Sequence, residues 1–401
     1  MTPIALLALA SCGGGGGGGT TPTATPVVAP STAPTGVTAT TKCSAINLSW
    51  TAVAGATGYN VYHAESAPAA TVTQTLVNTN SYTDAGLKQN TTYNYRVAAV
   101  NSAGEGPKSA TVAQLTGAVC LNVGGSIQGG DLSGVSKVTT LAGSVGKNLL
   151  VDGTGANAQF NTPAGIATDG TNLYVADTLN NAIRKIFIST GAVTTIATGL
   201  NGPQGITIDT SNNLYVADTQ SGKIFAISAS GVKSTVSSGF NNPAAITFDG
   251  TNLYVANSGA GTIVQLKTDG SASSVLATLT SPQGITSDGT YIYATDGADI
   301  FKIPTAGGAA SLLATASGNT PQGITSDGTN LFISNTTDQT ILELPGSVIG
   351  SFTAIAGSAG IPGSADGTGT AARFNHPNGI TTDGINLYVV DTTNDTIRKI
   401  Q

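Results

Sequence analysis

From about residue 137 onward, short apolar runs alternate with polar turn residues, and the alternation itself repeats. The repeated phrase is Pro-x-Gly-Ile-x-x-Asp, followed by Leu-Tyr-Val-Ala-Asp or a near variant. Its prolines are Pro163, Pro203, Pro243, Pro282 and Pro321, 39 or 40 residues apart, and then Pro377 after a longer loop. One copy departs, with Ala245 where the others carry glycine. Each copy predicts four strands. In the first they are Gly165–Asp169, Leu173–Ala176, Ala182–Phe187 and Val193–Ala197. Val, Ile, Thr and Tyr suit a pleated, half-buried surface. Asp-Gly-Thr-Asn between the first two strands supplies a turn. A period of this length built from short strands is the signature of β-propeller blades.

The sixth copy stops at Gln401, after its third strand Thr396–Ile400. Its fourth strand is supplied in sequence by Val138–Gly143, which matches Phe352–Gly357. An unpaired edge is a liability, so the early strand is expected to complete the last blade and close a six-bladed ring. The B-strand aromatics Tyr174, Tyr215, Tyr254, Tyr293, Phe332 and Tyr388 recur at the same period and predict inter-blade core.

These residues resemble the NHL repeat family. Its pattern is carried by the Pro-x-Gly-Ile phrases, Val175-Ala176-Asp177, Ile183-Arg184-Lys185-Ile186 and Ile397-Arg398-Lys399-Ile400. The resemblance covers residues 137 to 401 and implies an all-β propeller. It implies little about function, because this fold carries unrelated activities.

The chain opens on Ile4-Ala5-Leu6-Leu7-Ala8-Leu9-Ala10-Ser11-Cys12, a short apolar run ending in small residues. Leu-Ala-Ser-Cys resembles the lipobox of bacterial lipoproteins, which implies lipidation at Cys12 after cleavage. No Lys or Arg precedes the run, as is expected where the true start lies further upstream. Residues 13–34, seven glycines and then Thr- and Pro-rich sequence, predict a disordered tether. Residues 35–120 carry strands at roughly ten-residue spacing, including Leu48-Ser49-Trp50, Tyr59-Asn60-Val61-Tyr62 and Thr92-Tyr93-Asn94-Tyr95. They resemble a fibronectin type III β-sandwich, with Trp50 as the core tryptophan and Tyr93 as the tyrosine corner. Cys43 and Cys120 fall at one pole of such a sandwich. Export would favour a disulfide between them, closing 76 residues and contributing about 4 kcal/mol in the chain-entropy model. Residues 121–401 are the propeller.

Only 9 % of residues are charged, and from residue 121 onward 11 Lys and Arg face 18 Asp and Glu. That balance gives phosphates little to bind, so no nucleic-acid partner is expected. Two histidines exist, His63 in the sandwich and His376 in a loop where the first copy has Thr162. The NHL-like lyases work with histidines and metal at the channel mouth, and those histidines have no counterparts here. No metal, cofactor or catalytic residue is therefore assigned. The Asp residues ending each first strand, Asp169, Asp209, Asp249, Asp288, Asp327 and Asp383, predict turn caps. Asp177, Asp218 and Asp391, with Asn257 and Asn335 in their place elsewhere, predict caps on the opposite face.

Two features could hold a ligand. The first is the channel mouth, where Gln204, Gln283, Gln322 and Asn378 stand between proline and glycine in four of six copies. Amides donate and accept hydrogen bonds but are poor acids and bases, so a neutral polar ligand or water is expected there. The second is a pair of long loops, one with Asp152 and Phe160, the other with Asp366, Arg373 and Phe374. They are expected to flank blade six on the mouth side, and either to bind a partner or to plug blade gaps. The expectation is a monomeric bacterial envelope lipoprotein that presents the propeller to a protein or glycan, touching the membrane only through its anchor. A channel lyase or hydrolase is the alternative, and a passive envelope component the second.

Overall fold

The computed structural model describes residues 27–401, except 43–44, 67–71, 85–86, 88–90, 116–121, 124–125, 128–131, 133, 317–319 and 346–349. Cys12, Cys43 and Cys120 lie outside the described residues, and with them the expected lipid anchor and disulfide. The described residues are all β apart from short 3-10 turns, and no helix among them is long and apolar enough to cross a membrane.

The first body is a sandwich of two sheets. Thr38–Lys42, Ala45–Ser49 and Ser81–Asp84 form one. Gly58–Glu65 and Thr92–Asn101 form the centre of the other, flanked by Thr73–Val77, Gly104–Lys108 and Val112–Leu115. Alternate residues of both sheets meet between them: Ile46, Leu48, Val61, Tyr95 and Val97 are at most 2 % exposed. Trp50 is buried and meets Tyr59 edge-on, with ring centroids 5.3 Å apart. The Tyr93 hydroxyl lies 3.4 Å from Glu65 Oε1. His63 Nδ1 meets the buried carboxylate of Asp84, which also accepts the Tyr95 hydroxyl at 2.7 Å.

The second body is a ring of sheets. Blade one consists of Pro163–Thr168, Asn172–Asp177, Ala182–Phe187 and Ala192–Ala197, paired antiparallel in that order. Among the described residues six sheets of this kind occur. Each inner strand packs against the next, and Pro377–Thr382 packs against Pro163–Thr168, so the ring closes. The closing strand, Lys137–Gly143, pairs antiparallel with Thr396–Ile400, as its match to Phe352–Gly357 predicts. Its Val138 and Ala142 are at most 1 % exposed. A short hairpin, Asn122–Val123 with Ser126–Ile127, precedes it and lies near the inner strands of blades one and six.

Apolar side chains of neighbouring blades fill the gaps between them. Tyr254, Phe332 and Tyr388 are fully buried there, and Tyr174, Tyr215 and Tyr293 nearly so. The periodic aromatics are therefore core.

Candidate functional site

The inner strands converge on a narrow polar mouth. A cavity of about 80 Å³ is lined by the residue after each proline, then Gly or Ala, then Ile. Gln204, Gln283, Gln322 and Asn378 stand half-buried around it, as their shared place in the repeat predicts. Asn378 Nδ2 donates to Gln322 Oε1 at 3.0 Å, and Gln283 Nε2 donates to Ser281 O at 3.1 Å. The glycines are required by close approach. A Cβ on Gly284 would sit 1.8 Å from the Gln322 carbonyl, and one on Gly323 2.0 Å from that of Asn378. The inner strands touch backbone to backbone, which keeps the channel tight.

The carboxylates ending the inner strands cap turns. Asp169 Oδ1 accepts the N–H groups of Thr171 and Asn172, while Oδ2 accepts the Tyr174 hydroxyl at 2.9 Å. Asp209, Asp249, Asp288 and Asp383 repeat the arrangement with Tyr215, Tyr254, Tyr293 and Tyr388. Burial, and then the neighbouring carboxylate, hold these phenols above their ordinary range; Tyr215 is pushed up to about 12. Aspartate and aromatic are thus one device, although in the sequence they read as two separate stripes.

The oxygens on the opposite face tie down the loop that leads into each blade. Asp177 accepts the Asn161 N–H, Asp218 that of Asn201, Asn257 that of Asn241, Asp296 that of Thr280 and Asp391 that of Asn375, all at 2.6–2.7 Å.

The two long loops flank the outer strand of blade six as expected, with Gly155–Asn157 of the first lying against Lys137–Gly143. Gly153–Thr154 pairs with the outer strand of blade one, and Gly367–Thr368 with that of blade six. Each loop runs down the rim of its own blade, drawn there by ladder hydrogen bonds that the sequence pattern does not display. Each is held by one buried arginine. Arg184 donates to Asp177, Asp152 and the carbonyls of Val151 and Gln159 at 2.7–2.9 Å. Arg398 donates to Asp391, Asp366 and the carbonyls of Ala365 and Arg373 at 2.7–3.1 Å. Both arginines are 0 % exposed and lie over the rings of Phe160 and Phe374, themselves 0 % exposed. Asp152 also takes the hydroxyl and N–H of Thr195, and Asp366 those of Thr140. Partial burial pushes the Asp152 carboxyl up, but Thr195 and then Arg184 pull it below its ordinary value. Burial holds Asp177 and Asp391 above theirs.

Of the loop residues, Phe160 and Phe374 are therefore packing, and Asp152 and Asp366 are tied to their blades. Arg373 donates to the carbonyls of Thr370 and Ala372 in its own loop. His376 takes a left-handed backbone, φ 54°, and its N–H is held by Gln339 Oε1 at 2.7 Å, as expected of a surface loop residue. Among the described residues no group of three or more His, Cys, Asp or Glu side chains is placed to hold a metal.

Comparison with known proteins agrees with this anatomy. Residues 32–114 match the fibronectin type III domain. The N-terminal body is a fibronectin type III sandwich. Residues 155–259 match the SMP-30/gluconolactonase/LRE-like region, so the ring carries an NHL-like or gluconolactonase-like stretch. Over 88 residues the chain is 48 % identical to a poly(3-hydroxybutyrate) depolymerase of Ralstonia pickettii, covering 21 % of this chain and 16 % of that protein. An auxiliary nutrient binding protein of Bacteroides ovatus ATCC 8483 is similar over 93 % of this chain and 99 % of its own, with TM-score 0.58 and 14 % identity. A Bacteroides thetaiotaomicron VPI-5482 protein of the same description gives TM-score 0.56 at 16 % identity over the same shares. A gluconolactonase of Xanthomonas campestris gives TM-score 0.50 at 13 % identity, over 67 % of this chain and 91 % of that one. At these identities the likeness is one of fold.

Proposed function

We propose that this protein is a binding protein of the bacterial envelope, anchored through Cys12, whose propeller mouth takes a neutral, hydroxyl-rich ligand such as a glycan. The observation that carries this reading is the chemistry of the mouth. Its lining consists of Ala, Gly, Ile, Gln and Asn, which offer hydrogen bonds and apolar contact but no acid, base or nucleophile. Its size narrows the reading further. A site that engulfs a small molecule runs to roughly 300 Å³ or more, whereas this cavity is about 80 Å³. It suits a protruding hydroxyl or the edge of a sugar, with the rest of the ligand lying on the surface outside. The resemblance of both bodies together to two auxiliary nutrient binding proteins supports the same reading.

The match to the SMP-30/gluconolactonase/LRE-like region favours a second reading, a hydrolase acting in the channel. It would need titratable groups at the mouth, and the described lining supplies none. A glycan microarray probed with residues 27–401 tests the proposal. Retention on neutral glycans, indifferent to EDTA, is the expected result. Turnover of lactone or ester substrates, with no retained glycan, would put the hydrolase first.

A further inference from the structure

Each inner strand runs from its proline at the mouth to an aspartate just past its far end, so the turn that follows lies on the face opposite the mouth. The turn between the third and fourth strands lies on that face too. There, between blades one and two, the structure opens a cavity of about 250 Å³. That is room for about eight waters at liquid density, or for one small organic molecule. Blade one lines it with Asp169, Tyr174, Lys185 and Ile196, and blade two with Asn212, Leu214 and a turn at residues 228–231.

The polar groups of this lining are unequally engaged. Asp169 is saturated: Oδ1 accepts the N–H groups of Thr171 and Asn172, and Oδ2 accepts the Asn172 amide at 2.8 Å and the Tyr174 hydroxyl at 2.9 Å. Lys185 is half-buried, and its ammonium makes no hydrogen bond or ion pair among the described residues. It lies 5.9 Å from the Tyr174 ring centroid, at the outer limit of a cation–π contact. Sister blades settle this position internally. Gln265 donates to the Tyr254 hydroxyl at 3.2 Å, Lys302 sits over the Tyr291 ring at 3.8 Å, and blade two has Ala226. Blade one has Asn172 where blade four has Tyr291, so the ring that would take the ammonium is missing. Asn212, held at φ 63°, brings a second free group, since its side-chain amide makes no bond among the described residues. Ile196 and the buried Leu214 supply apolar wall.

We propose that this cleft binds a small organic carboxylate. The carboxylate sits on the Lys185 ammonium and the Asn212 amide, and the carbon chain lies against Ile196 and Leu214. A single ammonium balances a single negative charge, and the Asp169 carboxylate in the same lining repels a second. The site therefore takes a monoanion rather than a phosphate ester, and the apolar wall favours an alkyl acid over an inorganic ion. It is separate from the mouth and does not depend on what the mouth binds.

Sodium hexanoate is the probe, and hexanamide the control, because it keeps the shape and lacks the charge. Both are titrated into the protein and followed by saturation-transfer NMR. The acid is expected to bind with a dissociation constant on the order of 1 mM, about tenfold tighter than the amide. Lys185→Met should remove that preference. Lys399 holds the same place in blade six, outside this cavity, so Lys399→Met should leave binding unchanged. Equal binding of acid and amide, or no binding of the acid at about 10 mM, would overturn the proposal. So would undiminished binding in a folded Lys185→Met protein, or an equal loss in Lys399→Met. Should Lys185→Met fail to fold, Asn212→Ala at its exposed position decides: a loss of about threefold or more is expected, and undiminished binding of the acid would overturn the site.

Discussion

Blades one and six hold a buried arginine where blades two to five hold an apolar side chain. The third-strand residue opposite Val175, Val216, Val255, Ala294, Ile333 and Val389 is Arg184, Phe225, Val264, Phe301, Leu342 and Arg398 in turn. The backbone around these positions is the same. What differs is the loop that precedes the blade: blades one and six receive a long loop with Asp152 or Asp366, and the other four a short one. The arginine therefore comes as a set with its loop. Its guanidinium bridges a buried carboxylate, a loop carboxylate and two loop carbonyls, which a planar fork of five donors is shaped to do. Four sister blades achieve the same fold with greasy side chains, so the ionic device is not needed for the blade. It is needed to pin the loop to the rim, and it leaves the channel mouth untouched.

The comparison can be broken most severely at the arginine. Arg184→Met strands Asp177 in the interior without its cation and should cost about 3–5 kcal/mol, read from the denaturant midpoint. Arg184→Phe together with Asp177→Asn and a short turn in place of residues 149–159 converts blade one to the apolar type, and should recover most of that loss. If the triple change is no better than Arg184→Met, the arginine supports the blade itself. The side chains that fill the blade gaps come next. Phe160→Ala, at a fully covered site, should cost about 3–5 kcal/mol, and Phe240→Ala, only partly buried, distinctly less. A smaller effect separates blade five from the rest. Tyr388→Phe gives blade six the phenyl ring that blade five carries at Phe332, and should cost about 1 kcal/mol by removing the hydroxyl from Asp383.

The smallest expected effect is on pH dependence. Burial, and then the charge of Asp327, hold the Glu343 carboxyl above its ordinary 4.5. The folded protein therefore keeps that proton to higher pH than the unfolded chain, and stability falls as pH rises from 4.5 through the raised value. Glu343→Gln removes this slope. Its midpoint should gain on wild type between a pH below 4.5 and one of about 7; a gap that stays constant would show that Glu343 does not titrate differently on folding.

Much of the scaffold could be read from the chain, because short strands with strict turn chemistry state their own pattern, and six copies of it exclude accident. The closing strand Lys137–Gly143 was legible for the same reason: it is a copy of another blade's fourth strand. What depended on assembly was less readable. The aspartate and tyrosine stripes sit five or six residues apart, as in Asp169 and Tyr174 or Asp209 and Tyr215, and that fixed offset was the available sign that they bond. Arg184 and Arg398 stood in plain view within Ile-Arg-Lys-Ile, and their co-occurrence with Asp-Gly-Thr-Gly at 152–155 and 366–369 was the available sign of the clamp. That the long loops flank blade six was legible from their place in the chain, but their pairing with the outer strands was not, because it does not show in local pattern. The glycine of the repeat has its reason only in the ring, where one inner strand presses on the next. The mouth amides were placed by position alone, since the residue after each proline must face the axis.

On the proposed reading, recognition sits at the amide mouth while the long loops are structural. The affinity of a Gln283→Ala, Gln322→Ala protein for the glycan selected by the microarray tests it most directly. A loss of about tenfold or more with the melting midpoint unchanged is expected, since both side chains line the cavity. Undiminished affinity in that double variant would contradict it.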